Sequence, residues 1–294
     1  MANNTKRPQW RTAVEVAVIS IVIYVALGAP GLSSLGPTNN ENVKQSVPTA
    51  RAKIESLVYP DETLSCPSHK YGVHVVTSEP LVLYIDGFLS GEEADYLVTQ
   101  SQDKWQTSTI FNGGVETTDD KVRKSEKALI DRDDTVQCIE QRALAFQGWP
   151  AETFIERLWT QRYNVTGHYA YHYDWATASK ISRRVSTFMV YLAADCEGGG
   201  TQFPKIARPK DARWCEFVDC SPEAEEGVTF KPRKGAAVFW SNFDAAGRGY
   251  KDTIHAGLPV TSGTKIGLNI WSWYQAGHST PQGHISGPST EHVA

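Results

Sequence analysis

Two histidines and one aspartate have the residue types and the spacing of a metal site. His172 and Asp174 are separated by one residue in a segment predicted to be a strand, so both side chains would point to the same face. His255 offers a third ligand further along the chain. Two histidines and one carboxylate that leave the opposite face of the ion open are typical of non-haem Fe(II) sites. We therefore expect these three residues to form an iron site.

Other interpretations compete with iron while the motif is considered alone. In a chain with 8 histidines, a His-x-Asp triplet also arises by chance and is then explained by two surface residues on an edge strand. A catalytic zinc ion accepts two histidines and an acid, but it needs a general base nearby. A structural zinc site is disfavoured because the chain has no Cys-x-x-Cys pair.

Lys265 follows His255 on another predicted strand. At that position its ammonium group can pair with one carboxylate of a dicarboxylate ligand bound beside the metal. A single lysine is more often solvated surface, and its register with His255 is the observation that favours a binding role. We expect an anion pocket next to the metal.

The elements that must position these residues change in type along the chain. Helix signals include a capping box at Ser90-Gly-Glu-Glu93 and a second helix capped at Asp134 and stopped by Gly148. Strands are predicted at Pro80–Asp86, Phe154–Tyr163, Arg184–Leu192, Ala236–Trp240 and Lys265–Trp273. This order predicts a mainly β domain with flanking helices, a sandwich or jelly roll, over residues 69–274.

The N-terminal segment contains an apolar run of membrane-spanning length. Residues 13–32 are almost entirely apolar, and about 20 residues of helix span a hydrocarbon core. Three basic residues, Lys6, Arg7 and Arg11, precede this run. We therefore expect a transmembrane anchor with residues 1–12 as a cytosolic basic tail and the domain in the lumen of the endoplasmic reticulum. A cleaved signal peptide is the alternative, and it also directs the domain into the secretory pathway.

The segments that flank the domain have the composition of linkers. Residues 33–68 are rich in Pro, Ser, Asn and Thr and are expected to form a stalk. Residues 275–294 contain Gly, Ser, Pro, His and Thr with little apolar content. We expect this tail to be disordered.

The composition of the whole chain excludes two classes of protein. Lys and Arg total 29 against 33 Asp and Glu, a net charge of −4, so the basic excess of a nucleic-acid-binding protein is missing. The 9 tryptophans, 12 tyrosines and 10 phenylalanines exclude a low-complexity disordered chain. The 5 cysteines imply a free thiol or an intermolecular bridge, and their pairing stays open, although Cys215 and Cys220 are close enough to close a local loop.

The chain resembles the prolyl 4-hydroxylase branch of the Fe(II)/2-oxoglutarate-dependent dioxygenases from about Pro80 to Trp271. Six segments match in order: Phe88-Leu-Ser-Gly-Glu-Glu93, Arg123-Lys-Ser125, Tyr163-(x5)-Tyr169-(x2)-His172-Tyr-Asp174, Gly198-Gly-Gly-Thr-Gln-Phe-Pro204, Lys231–Gly235 before Val238–Trp240, and His255-(x3)-Pro259-Val260-(x2)-Gly263-x-Lys265-(x5)-Trp271. The family's usual glycine in the first metal motif falls on Thr166 here, so that turn is expected to differ.

This resemblance implies a double-stranded β-helix (jelly roll) and a set of site residues. The implied metal ligands are His172, Asp174 and His255, and the implied 2-oxoglutarate residues are Lys265, Tyr163 and Thr201. Lys265 would bind the C5 carboxylate, and ascorbate would serve as the reductant. The implied reaction converts 2-oxoglutarate to succinate and CO₂ and hydroxylates an unactivated carbon, here the 4-position of peptidyl proline.

Two further functions stay open from the sequence. The first is the same iron chemistry on a small-molecule substrate, which a closed pocket would favour over an aromatic-lined peptide channel. The second is a non-catalytic lumenal binding protein on the same fold, against which the complete ligand set argues. A partner subunit is possible, but nothing in the chain requires one.

Asn164-Val-Thr166 is an N-glycosylation sequon. It follows Tyr163, on the strand predicted to lead to the metal, where a glycan would be hard to place. We expect it to be unmodified, because such acceptors belong on surface loops.

Overall fold

The computed structural model describes residues 50–279, apart from 62, 113–114, 176–178 and 225. The helices are α1 Ala50–Glu55, α2 Gly91–Ser101 and α3 Asp134–Phe146. The strands are β1 Leu57–Val58, β2 Gly72–Ser78, β3 Leu81–Asp86, β4 Gln106–Thr107, β5 Ile110–Asn112, β6 Val115–Thr117, β7 Arg123–Lys124, β8 Glu126–Leu129, β9 Thr153–Glu156, β10 Trp159–Tyr163, β11 His168–His172, β12 Ser182–Gly198, β13 Thr201–Phe203, β14 Val228–Phe230, β15 Ala237–Ser241, β16 His255–Gly257 and β17 Val260–Gln275. Short 3₁₀ turns lie at Gln102–Lys104, Ala212–Glu216 and Lys251–Thr253.

Most strands form one large antiparallel sheet in the order β2-β3-β15-β12-β17-β10-β8-β4, with β9 also paired to β17 and β1 to β9. Its longest strands, β12 and β17, pair from Ser182 and Gln275 at one end to Gly198 and Val260 at the other. This long pairing fixes the register of every side chain that the two strands carry. A one-residue slip would move each of them to the opposite face of the sheet.

A small sheet, in the order β14-β13-β16-β11-β7, packs against one face of the large sheet. Met189 and Tyr191 of β12 contribute to the shared core, together with Phe203 and Phe230 from the small sheet. The predicted mainly β, jelly-roll-like architecture is confirmed.

Helices α2 and α3 cover the other face of the large sheet. Side chains alternate along a strand, so Phe188 and Val190 of β12 point away from the small sheet and pack with Leu97 and Ile139 of the helices. The predicted capping box opens α2, with Ser90 accepting from the backbone N–H of Glu93. Asp133, rather than Asp134, caps α3.

The prediction that residues 33–68 form a stalk is wrong for the C-terminal part of this segment. Helix α1 and strand β1 belong to the domain, because β1 pairs with β9 and Leu57 is buried against Phe154 and Trp273. Cys66 is also bonded to Cys138 of α3. The domain therefore extends to Ala50 at least, instead of beginning at residue 69.

Two disulfides and one thiol account for the 5 cysteines. Cys66 pairs with Cys138, and Cys215 pairs with Cys220 in the local loop that their spacing allows. Cys196 of β12 is the free thiol.

The expected membrane segment at residues 13–32 and its tail at residues 1–12 lie outside the described residues, as does most of the C-terminal tail, from residue 280 onward. Within the part of the chain that the structure describes, no helix is long and apolar enough to cross a membrane.

Candidate active site

His172, Asp174 and His255 converge at one point of the small sheet. His172 ends β11, His255 begins β16, and the two residues are directly paired across these antiparallel strands. One ligand atom from each of the three side chains lies within 4.8 Å of the other two. Oδ1 of Asp174 is 3.6 Å from Nε2 of His172 and 4.0 Å from Nε2 of His255. Asp174 reaches this position from the turn after β11, and not from the strand as expected from the one-residue spacing.

Backbone carbonyl groups fix the orientation of both imidazole rings. Nδ1 of His172 lies 2.8 Å from the carbonyl oxygen of Ala170, and Nδ1 of His255 lies 3.0 Å from that of Thr253. A neutral ring with its proton on Nδ1 has a lone pair on Nε2, so the two Nε2 atoms and Oδ1 of Asp174 can bind one metal ion. Burial, reinforced by the nearby His255, lowers the pKa of His172 and keeps its ring neutral.

The second oxygen of Asp174 faces away from the histidines. Oδ2 accepts hydrogen bonds from Oγ1 of Thr187 at 2.7 Å and from Nε1 of Trp271 at 3.1 Å. Burial alone would raise the pKa of Asp174, but the neighbouring histidines, Arg184 and the Thr187 hydrogen bond hold it below the usual value. The carboxylate is therefore ionised, with Oδ1 available as a ligand.

Aromatic rings pack against the two histidines. Tyr169 stacks on His172 with ring centroids 3.7 Å apart, and Trp240 and Phe203 lie 4.7 and 5.3 Å from His255. This packing holds the three side chains in place. Their two nitrogen ligand atoms and one oxygen ligand atom fit a divalent iron ion that keeps other coordination positions open.

Lys265 lies in β17, opposite Tyr163 of β10 and Ala194 of β12. Its side chain is only 1% exposed, and its Nζ donates to the carbonyl oxygen of Gly199 at 2.6 Å. Burial lowers the pKa of Lys265 to about 8. Among the described residues, no carboxylate forms an ion pair with it. A buried ammonium group without a counter-ion fits an anionic ligand.

Tyrosine rings and glycines surround the ammonium group. The Nζ atom of Lys265 is 4.9 Å from the ring centre of Tyr163 and 5.7 Å from that of Tyr191. A Cβ atom at Gly257 would lie 4.0 Å from Nζ, so the absence of a side chain there leaves room beside the ammonium group. Gly257 is paired with Thr201 of β13, which brings Thr201 to the same region.

Thr201 is buried, and its Oγ1 accepts a hydrogen bond from the hydroxyl group of Tyr191 at 2.8 Å. The hydroxyl hydrogen of Thr201 is thereby left to point elsewhere, including toward a ligand at Lys265. The structure thus brings Tyr163 and Thr201 to the surroundings of Lys265. Whether the six residues bind metal and co-substrate as assigned stays a prediction.

Thr187 and Tyr191 have no role that the sequence predicts. Both lie on β12 at even spacing with Met189, whose side chain faces the small sheet. Strand alternation was the signal that could have placed them on the inner face.

Asn164 was expected to be unmodified because the sequence placed it on a strand, and that placement is wrong. Strand β10 ends at Tyr163, and Asn164 lies in the turn before β11, where its side chain is exposed and accepts a hydrogen bond from Thr264. Thr166, at the position of the family's usual glycine, has a φ of 67°. The acceptor therefore lies on a surface turn, and crowding gives no reason for it to be unmodified.

Comparisons with known proteins agree on one family. The family model described as the 2OG-Fe(II) oxygenase superfamily matches residues 158–273, which include all six site residues. Prolyl 4-hydroxylase 1 of Arabidopsis thaliana is 31% identical over 209 residues, covering 67% of this chain and 70% of that protein. Probable prolyl 4-hydroxylase 10 of the same plant is 28% identical over 266 residues, covering 87% and 89%.

A solved structure of similar chain trace is the 2OG complex of viral collagen prolyl hydroxylase from Paramecium Bursaria Chlorella virus-1. It is 27% identical and has a TM-score of 0.49, over 65% of this chain and 95% of that chain. The sequence matches confirm the resemblance that the motifs indicated. The chain belongs to the prolyl 4-hydroxylase family of the 2OG-Fe(II) oxygenase superfamily and is a 2-oxoglutarate-dependent dioxygenase.

Proposed function

We propose that this enzyme hydroxylates the 4-position of proline residues in a polypeptide. The observation that carries the proposal is the convergence of His172, Asp174 and His255 beside a buried lysine for which the described residues provide no carboxylate counter-ion. Bound Fe(II), with 2-oxoglutarate and O₂, supplies the hydroxylation of an unactivated carbon with release of succinate and CO₂. Ascorbate is the proposed reductant that keeps the iron divalent.

Each residue of the site has a defined task in this proposal. His172 and His255 present Nε2 to the iron because their Nδ1 atoms are directed at backbone carbonyl groups. Asp174 contributes the negative charge through Oδ1. Lys265 binds the distal carboxylate of 2-oxoglutarate, and burial of this pocket keeps water from competing for the ammonium group.

Tyr163 and Thr201 complete the proposed co-substrate pocket. The ring of Tyr163 forms one wall beside the ammonium group. The hydroxyl group of Thr201, held by Tyr191, is a hydrogen-bond donor for the same carboxylate. These contacts orient 2-oxoglutarate so that its other end can reach the metal.

The surface next to the metal ligands supports a polypeptide substrate. Tyr171 precedes His172 in the sequence and is 47% exposed. Tyr173 and Trp175 lie before and after Asp174 in the sequence, and their ring centroids are 4.7 Å apart. Trp175 is fixed by a hydrogen bond from its Nε1 to the carbonyl oxygen of Tyr250. Aromatic surfaces of this kind bind proline-rich segments in the polyproline II conformation. The relatives named prolyl 4-hydroxylases support the same substrate.

The proposal includes a location. Residues 13–32 would anchor the enzyme as a single-pass protein of the endoplasmic reticulum, with residues 1–12 in the cytosol and the catalytic domain in the lumen. The apolar run and the basic residues before it support the anchor. The disulfides Cys66–Cys138 and Cys215–Cys220 support an oxidising compartment.

The test incubates the full chain, solubilised in detergent, with Fe(II), 2-oxoglutarate, ascorbate and O₂, with and without proline-rich peptides. We expect succinate to rise with peptide and the peptide to gain one oxygen atom on proline. The His172→Ala variant is the control and should produce neither. Succinate that forms slowly and independently of peptide would instead support a small-molecule substrate, and full activity of His172→Ala would refute the assigned site.

A further inference from the structure

Asp174 is held by two hydrogen-bond donors that both reach the same oxygen atom. Thr187 of β12 and Trp271 of β17 are directly paired across the large sheet, and both donate to Oδ2. Asn242, which is fully buried, donates in turn to Oγ1 of Thr187 at 3.3 Å. A carboxylate oxygen has about two acceptor sites, so these two donors occupy Oδ2. Only Oδ1 is left to face the histidines.

Trp271 is itself held through the face of its indole ring. The guanidinium carbon of Arg184 lies 3.7 Å from the centre of the Trp271 indole ring. Stacking of a planar guanidinium group on an indole face restricts rotation of the ring and polarises its N–H group. The direction of the N–H group toward Asp174 therefore depends on where Arg184 is held.

Arg184 is held by a buried carboxylate rather than by Asp174. Its Nε and Nη2 atoms donate to the two oxygens of Glu156 in β9 at 2.6 and 3.0 Å. Lys53 of α1 forms a second ion pair with Glu156 and lies 4.3 Å from the ring centre of Trp273. Among the described residues, Asp174 lies within ion-pair distance of His172 and His255 but of no lysine or arginine. No described lysine or arginine therefore neutralises Asp174 in an ion pair, and its negative charge is available to a metal ion.

We propose that Trp271 and Thr187 are positioning residues that present Asp174 to the metal as a ligand through one oxygen only. Arg184, held by Glu156 and Lys53, fixes Trp271 in this role. The inference rests on the proposed function, since it takes His172, Asp174 and His255 to be the metal ligands. It extends the support of the site to α1, which precedes the jelly roll.

The test measures binding of Mn(II), a redox-stable probe, and the visible d–d spectrum of Co(II), without turnover, in the full chain. Trp271→Phe keeps an aromatic ring for Arg184 and removes only the indole N–H group, and Thr187→Val removes the hydroxyl group. We expect each variant to bind Mn(II) about 10- to 100-fold more weakly, the range found when outer-shell partners of metal ligands are removed. The Co(II) bands should shift, because a freed Oδ2 changes the coordination of the ion.

The matched control is Trp273→Phe, the same substitution two residues along the same strand, which keeps an aromatic ring for Lys53. The indole N–H group of Trp273 donates to Gln275 and not to a metal ligand, so Mn(II) affinity and the Co(II) spectrum should equal those of the wild type. Urea unfolding of each variant shows whether it is folded. If Trp271→Phe is unfolded, Thr187→Val alone tests the inference. Wild-type affinity and spectrum in both Trp271→Phe and Thr187→Val would overturn the inference while leaving the proposed function intact. No Mn(II) binding by the wild type, or equal binding by His172→Ala, would overturn both.

Discussion

Lys265 and Tyr163 face each other directly across β17 and β10, and the ammonium nitrogen of the lysine lies 4.9 Å from the centre of the tyrosine ring. The position of the ammonium group is therefore set by the register of the large sheet rather than by a loop. The ring offers a π face to the cation but no negative charge. The described residues therefore supply no carboxylate to balance the ammonium group, and an anionic ligand would supply the missing charge.

The first prediction concerns the pH dependence of 2-oxoglutarate binding. Because burial lowers the pKa of Lys265 to about 8, the group loses its charge as the pH rises through that value, well before an ordinary lysine does. The affinity for 2-oxoglutarate should be constant up to about pH 7, about twofold weaker at pH 8 and about tenfold weaker at pH 9. Calorimetric titration of the Mn(II)-loaded enzyme from pH 6.5 to 9.5 measures this. A Lys265→Arg variant that still binds should show no fall, and an equally flat profile for the wild type would contradict the assignment.

A second prediction concerns the stability of the ligand-free enzyme. The pKa of Lys265 is lowered in the folded state, from the ordinary value of 10.5 to about 8, so between these values the unfolded chain binds more protons. The free energy of unfolding should therefore rise with pH in this window, relative to a Lys265→Met variant that lacks the group. At pH 7.5 the variant should be the more stable protein, because it removes a buried charge that no described carboxylate balances.

Urea unfolding of both proteins at pH 7.5 and pH 9.5 tests this second prediction. The stability difference between Lys265→Met and the wild type should shrink at the higher pH. A difference that is the same at both values would show that Lys265 titrates as an ordinary lysine.

A third prediction compares two buried tyrosines with different surroundings. The hydroxyl group of Tyr191 donates to Thr201, whereas that of Tyr84 has no hydrogen-bond partner among the described residues. Tyr191→Phe should weaken 2-oxoglutarate binding about fivefold, the equivalent of one hydrogen bond of about 1 kcal/mol. Tyr84→Phe is the matched control and should leave binding unchanged while raising the free energy of unfolding by about 1 kcal/mol.

Calorimetry and urea unfolding of the two tyrosine variants separate these effects. Equal loss of 2-oxoglutarate affinity in both variants would mean that the Tyr191 effect comes from general disturbance of the core. Unchanged affinity in Tyr191→Phe would remove Thr201 from the proposed pocket.

The parts of the site that could be predicted from sequence are those whose spacing is short or whose strand is regular. His172 and Asp174 are two residues apart, and Lys265 lies on β17, the strand that directly follows the strand of His255. The convergence of His172, His255 and Lys265 needs only regular strands and a two-sheet fold, whereas Asp174 reaches the site from the turn after β11. The sequence predicts one strand at Phe154–Tyr163, whereas the structure has two, β9 and β10. The break was not predicted because a period-two pattern does not show so short an interruption.

The features that could not be predicted depend on contacts between distant parts of the chain. Thr187 and Trp271 reach one oxygen of Asp174 because of the register of β12 against β17, which no local pattern states. Helix α1 has six residues, too few for a helical period, and Lys53 finds its partner Glu156 103 residues away. The composition of residues 33–68 therefore indicated a stalk, whereas the described part of this segment, from Ala50 onward, contains packed elements.

The last prediction concerns the two disulfides, which close loops of very different length. Cys66–Cys138 joins residues 72 apart and ties the segment after α1 and β1 to α3, whereas Cys215–Cys220 joins residues 5 apart. Restriction of the unfolded chain predicts that Cys66→Ala/Cys138→Ala lowers the free energy of unfolding by about 4 kcal/mol and Cys215→Ala/Cys220→Ala by about 2 kcal/mol. Urea unfolding of the two double variants measures both losses, and thiol titration of the denatured wild type should find the single thiol of Cys196. Equal losses in the two variants would show that the long loop is already restricted in the unfolded chain, and that loop length does not determine how much each disulfide contributes.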